Sequence, residues 1–278
     1  MPLPNEYTQV ELPLLEQLEG LDWSYLEGNT EDPAATERSS FREVLLRGRL
    51  RAALRRINRG PDGEEWLDDS RLNQALSALE RIAAPRLLEV NEAATTFLLT
   101  GTQVEGLPGW DDDRDRTVHY IDWNDWQNND FLAVNQFRVD PPGGRKYSVP
   151  DIVLFVNGIP LVVIECKSPS VTDPIEEAIT QLLRYSNQRD WIDEDEGVER
   201  LFHYNQLMIG TSGLKAVLGS VGAGYEHYRE WKETSPVPTA EVAAALGKQA
   251  LTSQETLAAG VLRPAHLLDI IRNFILFM

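Results

Sequence analysis

A single cysteine, Cys166, occurs in the 278 residues, which excludes an intramolecular disulfide and a cysteine-built zinc site. A reducing, cytoplasmic setting is expected. Apolar runs such as Ile159 to Ile164 are far too short to cross a bilayer, and no basic, apolar and small-residue succession opens the chain as a secretory leader would. Catalytic signatures of several large classes are missing too. There is no HExxH pair and no nucleophile elbow, and the glycine-rich stretch 211–224 lacks the G-x-x-x-x-G-K-[ST] spacing that cradles phosphate, so no ATP binding is expected of these residues. Basic residues are scarce: 26 Lys and Arg stand against 44 Asp and Glu, a net charge of −18. That balance excludes a general nucleic-acid coat, which needs a basic surface to displace counterions, and makes any DNA contact local.

What remains is an ordinary globular composition, 42% hydrophobic and 25% charged, and enough length for one large α/β domain or a domain with a helical extension. The charge is unevenly spread. Acid clusters at Asp111 to Asp115 and Asp190 to Glu199, while Arg42, Arg47, Arg49, Arg51, Arg55, Arg56 and Arg59 crowd together, either as a basic track or as the solvated face of one helix. Apolar spacing of three and four predicts amphipathic helices over 37–58 and around Leu72 to Ile82, and Pro13 opens an earlier helix running to Gly20. A turn-rich acidic loop is expected over 105–116. Strands are expected at Val118 to Asp122, Phe131 to Val139 and Leu201 to Ile209, with mostly helix after them. The aromatic and amide cluster 122–131 reads as sheet packing rather than a base-stacking platform.

The most informative segment is SVPDIVLFVNGIPLVVIECKSPS. Two apolar runs flank Asn157-Gly158, a pair suited to the positive φ angles of a hairpin turn. Pro169 stops the second strand, and Pro174 to Tyr185 forms a helix. Glu165 and Lys167 lie two apart on that strand, hence on one face with Cα atoms about 6.5 Å apart, and Asp151 stands at the mouth of its partner. Two carboxylates with a main-chain carbonyl suit Mg²⁺, which takes hard oxygen ligands and keeps several waters. The same three residues also fit a plain strand end with a turn-forming aspartate, since so short a motif recurs by chance. Register separates the two. A bare two-residue turn pairs Asp151 with Ile164 and puts it on the wrong face, so the site requires an odd offset, supplied by a longer loop or a bulge. Cys166 points to the opposite face, as core. Gln181 and Tyr185, four apart, share one helix face.

Pro150-Asp151 followed by IVLFVNGIPLVVIECKSP, Gln181-x-x-x-Tyr185, NDFLAVNQF, LFHYNQLMIGTSGLKAVLG, REWK and the opening VELPLLEQLEGLDWSYLEG together resemble the N-terminal nuclease region of type I restriction enzyme restriction subunits, of the PD-(D/E)xK superfamily. The resemblance covers nearly the whole chain. It implies an α/β restriction-endonuclease-like core, a central mixed sheet flanked by helices, with N-terminal helices and a C-terminal helical extension. Residues 1–235 would form the endonuclease domain, with its core at about 115–235, and 236–278 an extension toward an absent ATP-dependent motor. Implied roles are metal binding by Asp151, Glu165 and the Cys166 carbonyl, catalysis by Lys167, and support from Gln181 and Tyr185. Glu11 is a further candidate ligand on a more diffuse match. Where the family usually has leucine this chain has Cys166, and 190–199 looks like an elaboration. The implied activity is Mg²⁺-dependent cutting of double-stranded DNA after ATP-driven translocation, in complex with modification and specificity subunits; ATP belongs to the full-length subunit only. Two other functions stay open: a docking module for motor and methyltransferase, and a stand-alone repair nuclease. The apolar stripe ending HLLDIIRNFILFM suits a piece of a longer protein whose stripe takes a partner, or a terminal helix docked on its own domain.

Overall fold

The computed structural model describes residues 6–109, 114–143, 146–188 and 197–277. Its centre is a six-stranded mixed sheet in the order β1-β4-β5-β6-β7-β8, with β1 Ser24–Leu26, β4 Phe131–Asn135, β5 Ile152–Val156, β6 Ile159–Cys166, β7 Leu207–Thr211 and β8 Ala216–Gly219. A separate pair joins β2 Thr102–Val104 to β3 Arg116–Val118. β1 runs parallel to β4 and β6 parallel to β7, while β4, β5 and β6 form an antiparallel meander. Every residue of β4, β5, β6 and β7 is buried, because helices and loops cover both faces. That explains why these strands read as continuous apolar runs rather than alternating ones. The expected α/β class with a mixed sheet flanked by helices is what the structure has.

The hairpin between β5 and β6 meets the register requirement through a bulge. Asn157 and Gly158 take φ of 54° and 78°, so the turn is the two-residue kind, and Val156 pairs with Ile159 and Phe155 with Pro160. The ladder then shifts by one: Leu154 faces Val162, Val153 faces Val163 and Ile152 faces Ile164, leaving Leu161 as the extra residue. Pro160 has no N–H to give the ladder at this point, which favours the irregularity, and the Leu161 carbonyl is taken instead by the Gln206 N–H at 2.7 Å. One step beyond Ile152 and Ile164 lie Asp151 and Glu165. Gly158 is also pinned from outside. The Leu46 N–H donates to its carbonyl at 2.9 Å, and a Cβ there would come within 2.5 Å of the Leu46 carbonyl oxygen.

Around the sheet several expected elements moved. The first helix runs Leu12–Glu19, extended backward by a π-helical turn Tyr7–Glu11. Helices form at Asp69–Glu80 and Pro174–Tyr185 as expected. The expected helix 37–58 is confined to Arg47–Ile57. Upstream, Glu43 accepts from the Ser39 N–H and hydroxyl, Glu37 is left-handed, and the buried Arg38 guanidinium sits 3.7 Å over the Phe137 ring and donates to the Glu43 and Arg138 carbonyls. Tertiary contacts there override apolar periodicity. The Arg47–Ile57 helix spends its arginines on neighbours, with Arg47 on Glu80, Arg49 on Glu37 and Asp130, and Arg51 and Arg55 on Asp69. The crowd of arginines is thus chiefly an internal clamp.

The strand expected at 118–122 is only Arg116–Val118, β4 stops at Asn135, and Leu201 to Ile209 divides into a helical turn Glu199–Phe202 and β7. A helix Leu87–Thr100 had no counterpart among the expectations, and β8 lies inside the glycine-rich stretch. In the 122–131 cluster, Trp126 and Trp23 pack edge-on to Phe131, as sheet packing predicts. Of the acidic loops, 110–113 and 190–196 lie outside the described residues. The C-terminal helices Ser253–Val261 and Pro264–Phe274 dock on the core, Gln254 bonding Thr211 and the Val10 carbonyl and Trp23 donating to the Leu262 carbonyl at 2.7 Å. Leu267, Leu268 and Ile271 are buried, whereas Phe274 and Leu276 stand exposed. Among the described residues no helix is long and apolar enough to cross a membrane.

Candidate active site

β6 and the residue that follows it deliver Glu165 and Lys167 to one face, and Lys167 Nζ lies 2.7 Å from Glu165 Oε1. Asp151 reaches across from the start of β5, its Oδ2 accepting the Cys166 N–H at 2.7 Å. A strand residue's N–H and C=O point to the same side, so the Cys166 carbonyl also faces the Asp151 strand. Its side chain is buried on the opposite face, as expected, and burial together with the nearby Asp151 charge pushes its thiol pKa far up, the reverse of what a nucleophile requires.

Both carboxylates are almost wholly buried. Burial, and then the Asp151 charge, raises the Glu165 pKa well above the usual carboxylate range. Burial raises Asp151 as well, against the opposing pull of the Lys167 ammonium and the Cys166 N–H. For Lys167 burial works against the charge, but the Glu165 and Asp151 carboxylates outweigh it and hold the ammonium firmly protonated. Glu165 Oε2 is buried and has no hydrogen-bond partner among the described residues. An oxygen in that position costs about 1–3 kcal/mol unless something occupies it. Two carboxyl groups crowd beside one ammonium in a dry pocket, where a divalent cation would offset the charge that burial penalises, and the orphaned oxygen suits such a hard ion. Among the described residues no three histidine, cysteine, aspartate or glutamate side chains enclose such an ion by themselves; two carboxylates, a carbonyl and waters are the donor set on offer.

Glu11 is fully buried in the π-helical turn beside this cluster. Its Oε1 accepts from Asn135 Nδ2 at 3.0 Å and its Oε2 from Gln136 Nε2 at 3.3 Å. Burial, opposed by the Asn135 bond and reinforced by Asp151, lifts its pKa to about 7. Gln181 Nε2 bonds the Tyr185 hydroxyl at 2.5 Å, and that hydroxyl donates to the Val149 carbonyl two residues before Asp151. The helix pair therefore braces the strand entrance. Sequence reasoning overlooked Glu6, which accepts the Ser168 N–H, and Asn135 and Gln136. The last two lie in the quoted NQF stretch, but the only signal was an amide pair at a strand end.

Residues 4–227 match the model of the family described as the type I restriction enzyme R protein N terminus. The chain belongs to that family. It is 30% identical over 267 residues to the type I restriction enzyme HindI endonuclease subunit of Haemophilus influenzae, covering 95% of this chain and 23% of that protein. To the putative type I restriction enzyme MjaIXP endonuclease subunit of Methanocaldococcus jannaschii it is 25% identical over 283 residues, 98% of this chain and 26% of the relative. A shorter match of 104 residues, 33% identical, covers 37% of this chain and 10% of the SsaAORF53P endonuclease subunit of Staphylococcus saprophyticus. The chain thus spans about a quarter of the length of the first two relatives.

Proposed function

We propose that this chain is the Mg²⁺-dependent endonuclease module of a type I restriction enzyme, built on a PD-(D/E)xK core and cutting double-stranded DNA in the cytoplasm. The observation that carries the reading is the Leu161 bulge, which sets Asp151 opposite Glu165 and gives them Lys167 as neighbour. A one-residue irregularity in a buried strand has a cost, and bulges cluster beside active sites where they re-aim a side chain. Asp151, Glu165 and the Cys166 carbonyl would hold the ion, which when bound would activate water and offset phosphate charge. Asp151 is oriented by the Cys166 N–H, and Glu165 by the ammonium of Lys167. Lys167, held charged, is placed to stabilise negative oxygen at a scissile phosphate. Gln181 and Tyr185 support the approach to Asp151. The names of the relatives support DNA cleavage as the activity and a multi-subunit assembly as the setting. In that setting we place the modification and specificity subunits as partners, and an ATP-driven motor beyond the helical extension 236–278.

The test uses the complete restriction subunit with its partners. Asp151→Ala or Lys167→Ala should lower plasmid linearisation by about 10²–10³-fold or more, with ATP turnover and triplex displacement kept on the same preparation. Cleavage at the wild-type rate by either variant, or a parallel collapse of ATP turnover, would show the residues to be misassigned.

A further inference from the structure

Glu11 and Asp151 come from distant parts of the chain, yet one side chain touches both. Gln136 is the first residue after β4. Its N–H donates to the Asp151 carbonyl at 2.8 Å, and its Nε2 lies 3.3 Å from Asp151 Oδ1 and 3.3 Å from Glu11 Oε2. An amide nitrogen carries two hydrogens, one for each carboxylate. To reach them the residue adopts φ of 47°, a left-handed conformation that costs a side chain with a Cβ roughly 1–2 kcal/mol. The neighbour on the chain completes the frame. Asn135 Nδ2 holds the other oxygen of Glu11, while Asn135 Oδ1 accepts the Gly28 N–H at 2.9 Å. The backbone passes so close at Gly28 that a Cβ would meet the Asn135 carbonyl oxygen at 2.0 Å.

Both oxygens of Glu11 are therefore occupied by amide donors, whereas Glu165 keeps an oxygen with no partner among the described residues. The two acids stand in different relations to the pocket. We infer that Gln136 is a positioning residue of the cation site, its amide fixing the Asp151 carboxylate while Glu11 braces the amide from its other side. The strained backbone, the two carboxylates on one NH₂ group and the amide donor on each oxygen of Glu11 are explained together by this arrangement. The inference rests on the cation-site reading above, so its test carries an arm that separates the two.

Gln136→Gly removes the amide while easing the backbone, since glycine adopts positive φ without strain. Calorimetric titration of the chain with Mn²⁺ should show affinity weakened roughly ten- to a hundredfold, the usual effect of losing a partner of a metal-binding carboxylate. The midpoint of urea unfolding measured in EDTA should be kept. In the complete enzyme the half-saturating Mg²⁺ concentration for DNA cleavage should rise by a similar factor, with the plateau rate at saturating Mg²⁺ changed less than about threefold, because weaker ion binding is overcome by mass action. Wild-type Mn²⁺ affinity in Gln136→Gly would overturn the inference. So would a fallen plateau with unchanged half-saturation, which would place Gln136 on the substrate. Asp151→Asn is the separating arm: if it keeps Mn²⁺ binding the cation site itself is wrong, whereas loss in Asp151→Asn beside normal binding in Gln136→Gly sinks only the role given to Gln136. Should Gln136→Gly fail to fold, Gln136→Asn carries the same test. Asparagine tolerates left-handed φ, and its amide is one methylene too short to span both carboxylates.

Discussion

Replacing Glu11 by glutamine should make the ion-free chain more stable in mild alkali and no more stable in acid. Glu11 is fully buried, and its pKa rises from an ordinary 4.5 to about 7, chiefly because burial penalises the charged form. A carboxyl whose folded pKa lies above its unfolded value contributes its stability below the unfolded pKa and loses it as pH rises through the folded one. For Glu11 that window runs from 4.5 to about 7. At about 1.4 kcal/mol for each unit of pH, the charged side chain burdens the fold by about 3 kcal/mol once pH exceeds the window. Glutamine carries no charge but can accept only one of the bonds now given by Asn135 and Gln136, which returns about 1 kcal/mol. Glu11→Gln should therefore gain about 2 kcal/mol at pH 8.5 and lose about 1 kcal/mol at pH 4. Urea unfolding in EDTA at a series of pH values measures both. A difference between variant and wild type that does not change with pH would refute the premise that Glu11 is buried as a strained carboxylate.

Mg²⁺ or Mn²⁺ should raise the melting temperature of the wild-type chain in a concentration-dependent way, since an ion bound only by the folded state stabilises it by mass action. Glu165→Ala, which removes the carboxylate with the orphaned oxygen, should abolish the rise, and a persisting rise would move the ion elsewhere. Gly158→Ala should destabilise the chain by about 2 kcal/mol, because φ there is 78° and a Cβ would strike the Leu46 carbonyl; an unchanged unfolding midpoint would contradict the turn geometry.

The parts legible in the sequence were those in which local chemistry and tertiary demand agree. Asn157-Gly158 has positive φ at both positions, so a hairpin was readable from the dipeptide, and Pro174 and Pro169 bracketed a helix and a strand end for stereochemical reasons. The requirement for an odd register followed from alternation alone. Its solution by a bulge at Leu161 did not, although Pro160 removed the ladder donor beside it. Segment 37–46 misled because Phe41, Val44 and Leu45 are spaced as in a helix, yet each is buried by contacts that no local window contains. Leu87–Thr100 was overlooked for a different reason. Its buried Asn91 donates to the carbonyls of Phe202, His203 and Asn205, and polar and β-branched residues blur its apolar face. At the site, the charged trio was visible because carboxylates and lysine on an apolar strand are conspicuous. Gln136 escaped because an amide after a strand has no distinctive spacing, and what marks it is a backbone angle and two partners far away in the chain.

The shift in the ladder at Leu161 also imposes an arithmetic of parity on the hairpin. Side chains alternate with period two, so any length change between Asp151 and Glu165 either preserves or inverts the relation between their faces. Two residues added at the Asn157-Gly158 tip keep the carboxylates together, as does one residue added there while the extra residue at Leu161 is lost. With the two-residue turn and the bulge both kept, a single insertion or deletion within one strand turns one carboxylate away, even where the strands stay paired and the core stays full. Chains of this family that diverge in hairpin length should therefore fall into two populations, one whose spacing can still assemble the pair and one that retains the fold with its acids on opposite sides of the sheet.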